Sequence, residues 1–222
     1  MSEPATFVPL PVHEGWDSAV QDGAAAAPQP VQEQAALEPA PKPTRRRNPY
    51  EQYYEIRPSQ TGGLGCFAVR DIDEGVVILM EKPMLDTTVY NLRRDLATLP
   101  KAVNAHFYTL AHDASVDRFA KVEDIWHKNA FEVPSGIAIF AIASRFNHAC
   151  EPVFNVVYAW DRFKNVMTFC TKRAVKAGEE LRITYGGCPL SLYVRYGFIC
   201  QCGGCDSVSR AQAEEHRPYI WR

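Results

Sequence analysis

Three cysteines packed into six residues near the end of the chain, Cys200, Cys202 and Cys205, constrain the fold more than any other feature of the sequence. The spacing C-x-C-x2-C holds three thiolates on one tight loop, which suits three corners of a tetrahedral zinc site with Zn–S bonds of about 2.3 Å. A closed structural site needs a fourth ligand from elsewhere in the chain. The cluster follows the turn, strand and tyrosine Gly178-Glu179-Glu180-Leu181-Arg182-Ile183-Thr184-Tyr185. Two questions therefore organise the rest: where the fourth ligand lies, and what the metal holds in place.

With 222 residues, 46% of them hydrophobic, the chain has the length for one domain with a real core plus a tail. A formal charge of −2 and a pI of 6.3 give no broad basic field. Direct nucleic-acid binding through phosphates is therefore not supported. The seven cysteines, at 66, 150, 170, 188, 200, 202 and 205, do not pair off along the chain as a secreted disulfide framework would. That distribution points to a reducing compartment. The first ten residues lack a basic n-region and an apolar h-region, and no uninterrupted apolar stretch reaches membrane-spanning length. The expectation is a soluble protein of the nucleus and/or cytoplasm, with no membrane partner and no direct nucleic-acid partner.

Residues 1–48 are rich in Ala, Pro, Gln and Glu without a sustained apolar period, a composition that buries too little to offset its ordering entropy. They read as a disordered tail ending in Arg45-Arg46-Arg47. The arginine triplet suits a solvated basic linker, with a nuclear-localisation patch as the other reading. From Tyr50 the pattern changes. Tyr53–Arg57 and Leu64–Arg70 read as short strands, and the apolar run Val76–Met80 as a strand buried on both faces and ended by Pro83. Between about residues 91 and 132 apolar residues recur at helical spacing, as in Phe107-Leu110-Ala111 and Phe119-Val122-Ile125-Trp126, predicting a helical insert. His106, His112 and His127 lie in it with no accompanying ligand pattern and read as surface or partly packed histidines. Ile137–Ala143 then leads into a polar loop, Arg145-Phe146-Asn147-His148-Ala149-Cys150. A hairpin over Asn155–Trp160 and Val166–Cys170 follows, and then a strand from Glu180 to Thr184.

The order of these motifs resembles the SET-domain protein lysine methyltransferases: Gly63-Leu64-Gly65, Asn147-His148-Ala149-Cys150, Gly178-Glu179-Glu180-Leu181 through Tyr185, and Phe198-Ile199-Cys200-Gln201-Cys202-Gly203-Gly204-Cys205. The resemblance covers about residues 50–206. The helical insert and the close cysteine tail are most similar to the SET-and-MYND branch, although no MYND finger interrupts this sequence. The implied fold is mainly β with a helical insert (α+β), built of small sheets with a knot-like C-terminal segment. The implied division is a tail over residues 1–48, a SET domain over 49–190 and a post-SET zinc loop with the C-terminal tail over 191–222.

The resemblance also implies roles. Gly63, Leu64 and Gly65 would bring backbone close to S-adenosylmethionine, where the plain reading is a glycine turn. Asn147 and His148 would meet the cofactor's amino-acid and adenosine portions. Phe198 would pack on the adenine, or else serve as a core phenylalanine beside the zinc loop. Tyr185 would be the central catalytic residue and also a cofactor contact, and Tyr196 a second channel tyrosine; for both, a buried tyrosine with a satisfied hydroxyl is the competing account. Cys150 would complete one structural zinc site with Cys200, Cys202 and Cys205. The substrate would be a lysine-bearing protein, a histone among the candidates.

Two residues depart from the family pattern Asn-His-Ser-Cys-x-Pro-Asn: Ala149 replaces the serine and Val153 the final asparagine, with Asn155 two positions later. Lost polar groups there weaken hydrogen bonding, and they motivate a rival reading, a weak or inactive SET module that acts as a protein-interaction scaffold. A zinc-finger nucleic-acid binder is disfavoured because the cysteines belong to one closed site with no basic recognition helix.

Overall fold

The computed structural model describes residues 48–216. The expected tail up to residue 47, its arginine triplet and residues 217–222 lie outside the described residues. In chain order the strands are β1 (Tyr54–Pro58), β2 (Leu64–Ala68), β3 (Val77–Glu81), β4 (Leu85–Thr87), β5 (Ala130–Val133), β6 (Gly136–Ile139), β7 (Asn147–His148), β8 (Val156–Asp161), β9 (Val166–Thr171) and β10 (Glu180–Ile183). The helices are α1 (Leu92–Thr98), α2 (Lys101–Phe107), α3 (Lys121–Asn129), α4 (Pro189–Tyr196) and α5 (Arg210–His216). Among the described residues no helix is long and apolar enough to cross a membrane.

The strands form three small sheets, ordered β1-β2-β10-β7, β3-β9-β8 and β4-β6-β5. All pairs within them are antiparallel except β10 with β7. The expected buried strand is β3, in which Ile78 and Leu79 are fully buried and the pairing with β9 shifts register between Val77 and Leu79. Tyr54, Cys66, Phe146, Val156, Phe169, Leu181 and Ile183 join them in one core that unites the first two sheets. The hairpin β8–β9 turns where the Asp161 carboxylate accepts the N–H groups of Phe163 and Lys164.

The insert has its own core, in which Leu92, Leu96, Phe107, Val122, Ile125 and Trp126 pack with Leu85 and Ile139 of the third sheet. Two expectations are corrected here. Phe119 is 66% exposed rather than on the buried stripe, because α3 begins only at Lys121, after the Asp117 carboxylate takes the N–H groups of Phe119 and Ala120. The helical region also stops at Asn129, not Glu132. Residues 130–133 alternate buried and exposed as β5, and the Phe131 ring meets Phe140 and Phe169 edge-on in the sheet core. His106 and His112 bond main-chain carbonyls of Ala141 and Leu110.

Asn147 and His148, expected in a polar loop, instead form a two-residue strand opposite Arg182 and Ile183. Helix α4 runs through residue 190, where the sequence reading ended the SET domain, and terminates at Gly197 in the left-handed conformation.

Candidate active site and metal centre

The sulfur atoms of Cys150, Cys200, Cys202 and Cys205 all lie within 4.8 Å of one another. Cys150 and Cys200 are 3.7 Å apart, and Cys202 and Cys205 4.0 Å. A tetrahedral ion with bonds of about 2.3 Å requires sulfurs about 3.8 Å apart, so the spacing suits zinc. The main-chain N–H groups of Cys150 and Gly204 both donate to Cys202 Sγ at 3.3 Å, which favours a thiolate there. Burial and the neighbouring thiols together push the Cys150 thiol above its ordinary value. Four such groups lose their protons together only around a cation. Gly204 is needed for the loop to close: a Cβ there would stand 2.6 Å from Val153 and 3.2 Å from the carbonyls of Cys150 and Glu151.

His148 connects this cluster to Tyr185. Its Nδ1 accepts the main-chain N–H of Tyr185 at 3.0 Å, so the ring proton sits on Nε2, which donates to Cys150 Sγ at 3.1 Å. Burial, with the Arg182 cation beyond it, lowers the His148 pKa to about 4, so the ring is neutral at pH 7. The Tyr185 hydroxyl donates to the Phe146 carbonyl at 2.8 Å. Burial, then the neighbouring Tyr196 and Glu180, drive its pKa upward, and it stays a phenol. The rings of Tyr185 and Tyr196 are 4.8 Å apart, and Phe198 lies 6.0 Å from His148 and 6.4 Å from Tyr185. The structure thus brings these four rings into one cluster.

The glycine motif meets the same segment from the other side. Asn147 Nδ2 donates to Glu180 Oε1 at 2.8 Å and to the Leu64 carbonyl at 3.3 Å. A Cβ on Gly65 would collide with the Glu180 carboxylate and stand 2.9 Å from Asn147 Nδ2, so this glycine is required by the side chains that fill the space. Gly63 differs: its φ is +62° with nothing within 4 Å of a Cβ, so its requirement is conformational and its outer face is open. Gly62, Gly63, Leu64, Asn147, Arg145 and Tyr185 line a cleft of about 280 Å³. A smaller hollow of about 60 Å³ between Asn147, His148, Tyr185 and Phe198 adjoins it.

Tyr185 also lines a separate cleft of about 450 Å³, with Phe131, Tyr158, Trp160, Tyr196 and Glu132 among its walls. Lys128, Asn129, Ser144 and Tyr185 line both clefts. The sequence reading missed Tyr158 and Asn129. Tyr158 sits in β8 edge-on to Phe131 at 5.3 Å and looks like any strand tyrosine in sequence. Asn129 resembles a helix terminus, yet it is 4% exposed and donates to the carbonyls of Ala111 and Ile125.

Asn155, two positions after Val153, is tied to β10. It is 1% exposed, its Nδ2 donates to the Glu180 carbonyl at 2.8 Å, and its Oδ1 accepts the Arg182 N–H at 2.7 Å. The loop therefore brings Asn155 against the main chain of β10. At Ala149 the main-chain N–H donates to Ile183 at 2.9 Å, extending the β7–β10 pairing without help from a side chain.

The chain is 29% identical over 174 residues to histone-lysine N-methyltransferase set5 of Schizosaccharomyces pombe, covering 73% of this chain and 54% of that protein. It is 30% identical over 80 residues to histone-lysine N-methyltransferase ATXR4 of Arabidopsis thaliana, covering 33% of this chain and 24% of that protein. The chain thus spans about half the length of the first of these relatives and less of the second. Among solved structures, the SET domain of LSMT bound to lysine and AdoHcy superposes with a TM-score of 0.49 at 14% identity, covering 70% of this chain and 54% of that one. The family model described as SET domain matches residues 63–186, more than half of the 222 residues, and the chain belongs to the SET-domain family.

Proposed function

We propose that this chain transfers methyl groups from S-adenosylmethionine to the side-chain amine of a protein lysine. One observation carries the reading: Tyr185 lines two clefts at once, its hydroxyl hydrogen committed to the Phe146 carbonyl. The cleft of Gly63, Asn147 and Tyr185 would hold the cofactor, with the Phe198 ring in the adjoining hollow as the face offered to its adenine. The donor set fits: an amide side chain, open glycine backbone and an aromatic face offer polar contacts at one end and stacking at the other. When bound, the cofactor supplies an electrophilic methyl group on a sulfonium.

The other cleft would admit the lysine between Tyr158, Tyr196 and Tyr185. Because the Tyr185 proton is spent on Phe146, the oxygen lone pairs are free to accept from the incoming amine and aim its nitrogen. The phenol is not the base. Aromatic walls lower the amine's pKa by desolvation, which favours the neutral nucleophile. A zinc held by Cys150, Cys200, Cys202 and Cys205 would fasten the loop from Cys200 to Cys205 to the segment of Cys150, next to His148.

The names of the relatives support a histone as one substrate and nuclear action as one location. Asn155, in hydrogen-bonding contact with β10, favours the catalytic reading over the scaffold. The test is calorimetric titration with S-adenosylmethionine, followed by methyl transfer to a histone panel and a cell lysate, with Tyr185→Phe as the blank. Absence of cofactor binding would end this reading.

A further inference from the structure

The turn that presents the Phe146 carbonyl is held by a group that the reaction just described does not use. Glu81 ends β3. Its Oε1 accepts the N–H groups of Ala141 and Ile142, both at 3.0 Å, and its Oε2 those of Ile142 and Ala143, at 3.2 and 2.8 Å. These three amides open the 3-10 turn Ala143–Arg145, where N–H groups have no partner within the turn itself. The turn closes with the Arg145 N–H on the Ile142 carbonyl at 2.8 Å and the Phe146 N–H on the Ala143 carbonyl at 3.1 Å. The next link is the Phe146 carbonyl, which receives the Tyr185 hydroxyl. From the opposite side the Arg145 guanidinium donates to the carbonyl and hydroxyl of Thr109, tying the same turn to the helical insert.

A largely buried carboxylate is a costly means of filling space. Burial pushes the Glu81 carboxyl above its ordinary value, and the amides of Ala143, Ile142 and Ala141 pull it back. What Glu81 supplies that an apolar residue would not is a fixed pair of acceptors 60 or more residues away in sequence from the donors they hold.

We propose that Glu81 is a positioning residue for the Tyr185 hydroxyl. By clamping the amides of Ala141, Ile142 and Ala143 it sets where the Phe146 carbonyl stands, and so where the phenol oxygen points its lone pairs. The proposal rests on the methyl-transfer reading above. A shift of about 1 Å in an orienting group is enough to cost catalysis much more than binding.

The experiment uses the full chain with Glu81→Gln, which keeps the side chain's size but turns an NH2 group toward main-chain donors. The turnover rate should fall about tenfold while cofactor affinity stays within about twofold. In a Tyr185→Phe background the same change should lower the residual rate by less than about twofold, because the hydroxyl it positions is gone. Equal losses in both backgrounds, or an unchanged rate in the first, overturn the proposal. Amide hydrogen exchange reads the linkage without activity: Glu81→Gln should speed exchange at residues 141–146 and leave the zinc loop unchanged. An inactive wild-type protein with that exchange pattern defeats the methyl-transfer reading and keeps the Glu81 linkage; unaltered exchange at 141–146 defeats the linkage. Should Glu81→Gln not fold, Glu81→Asp, too short to reach all three amides, gives the same comparisons.

Discussion

His148 donates its Nε2 proton to the sulfur of Cys150 across 3.1 Å, and the same ring takes the Tyr185 main-chain N–H on Nδ1. The proposed metal ligand and the proposed catalytic tyrosine are therefore one neutral imidazole apart. A donor aimed at a thiolate stabilises it, and a ring held at both nitrogens has little freedom. The thiol cluster and the tyrosine form one mechanical unit.

Metal analysis of the isolated protein should find about one zinc per chain, and Cys150→Ala should abolish tight binding. Loss of roughly 3 kcal/mol of metal-linked stability would lower the thermal midpoint by about 6–12 °C at this chain length. Chelation of the wild-type protein should reproduce that shift. Undiminished zinc in Cys150→Ala would remove Cys150 from the site.

Tyr185→Phe deletes one oxygen and leaves the ring contacts with Tyr196 and Phe198 in place. Turnover should drop about a hundredfold, with the cofactor dissociation constant changed by less than about threefold. Single-turnover methylation of a lysine peptide makes the comparison. Equal rates would unseat the tyrosine.

Asn155→Ala strands the Glu180 carbonyl and the Arg182 N–H inside the protein. The expected cost is roughly 2–4 kcal/mol, read from chemical denaturation. Asn155→Asp keeps the acceptor for the Arg182 N–H but turns a buried carboxylate toward the Glu180 carbonyl and the Glu179 carboxylate, so it should cost at least as much as alanine. Adding an asparagine back as Val153→Asn should not restore Asn155→Ala, because β10 is met by residue 155.

The two glycines of the motif should fail differently. Gly65→Ala forces apart Asn147 and Glu180, so it should weaken both folding and cofactor binding. Gly63→Ala meets no neighbour and carries only the strain of its φ of +62°, about 1 kcal/mol. Paired calorimetry and denaturation separate the cases; identical losses in both variants would contradict the distinction.

The strands around Val77–Glu81, Val156–Asp161 and Val166–Thr171 were legible because apolar runs and turn residues are local signals. Residues 130–133 were not, since a four-residue alternation next to a helix is too short to break the helical period. The order of motifs from Gly63 to Cys205 likewise stood in the sequence, and it was sufficient to suggest the family that the match over residues 63–186 establishes.

What the sequence determined by itself was the inventory: three thiols on one loop, a tyrosine after a glycine-led strand, an asparagine-histidine pair and an insert with its own apolar stripe. The tertiary structure decided the partnerships. It alone brings Glu81 to the amides of residues 141–143, Asn155 to the main chain of β10 and Tyr158 to the wall beside Tyr185. A hydrogen bond spans about 3 Å while its two residues lie tens of positions apart, so its existence depends on the path of the whole chain. No local propensity encodes that path.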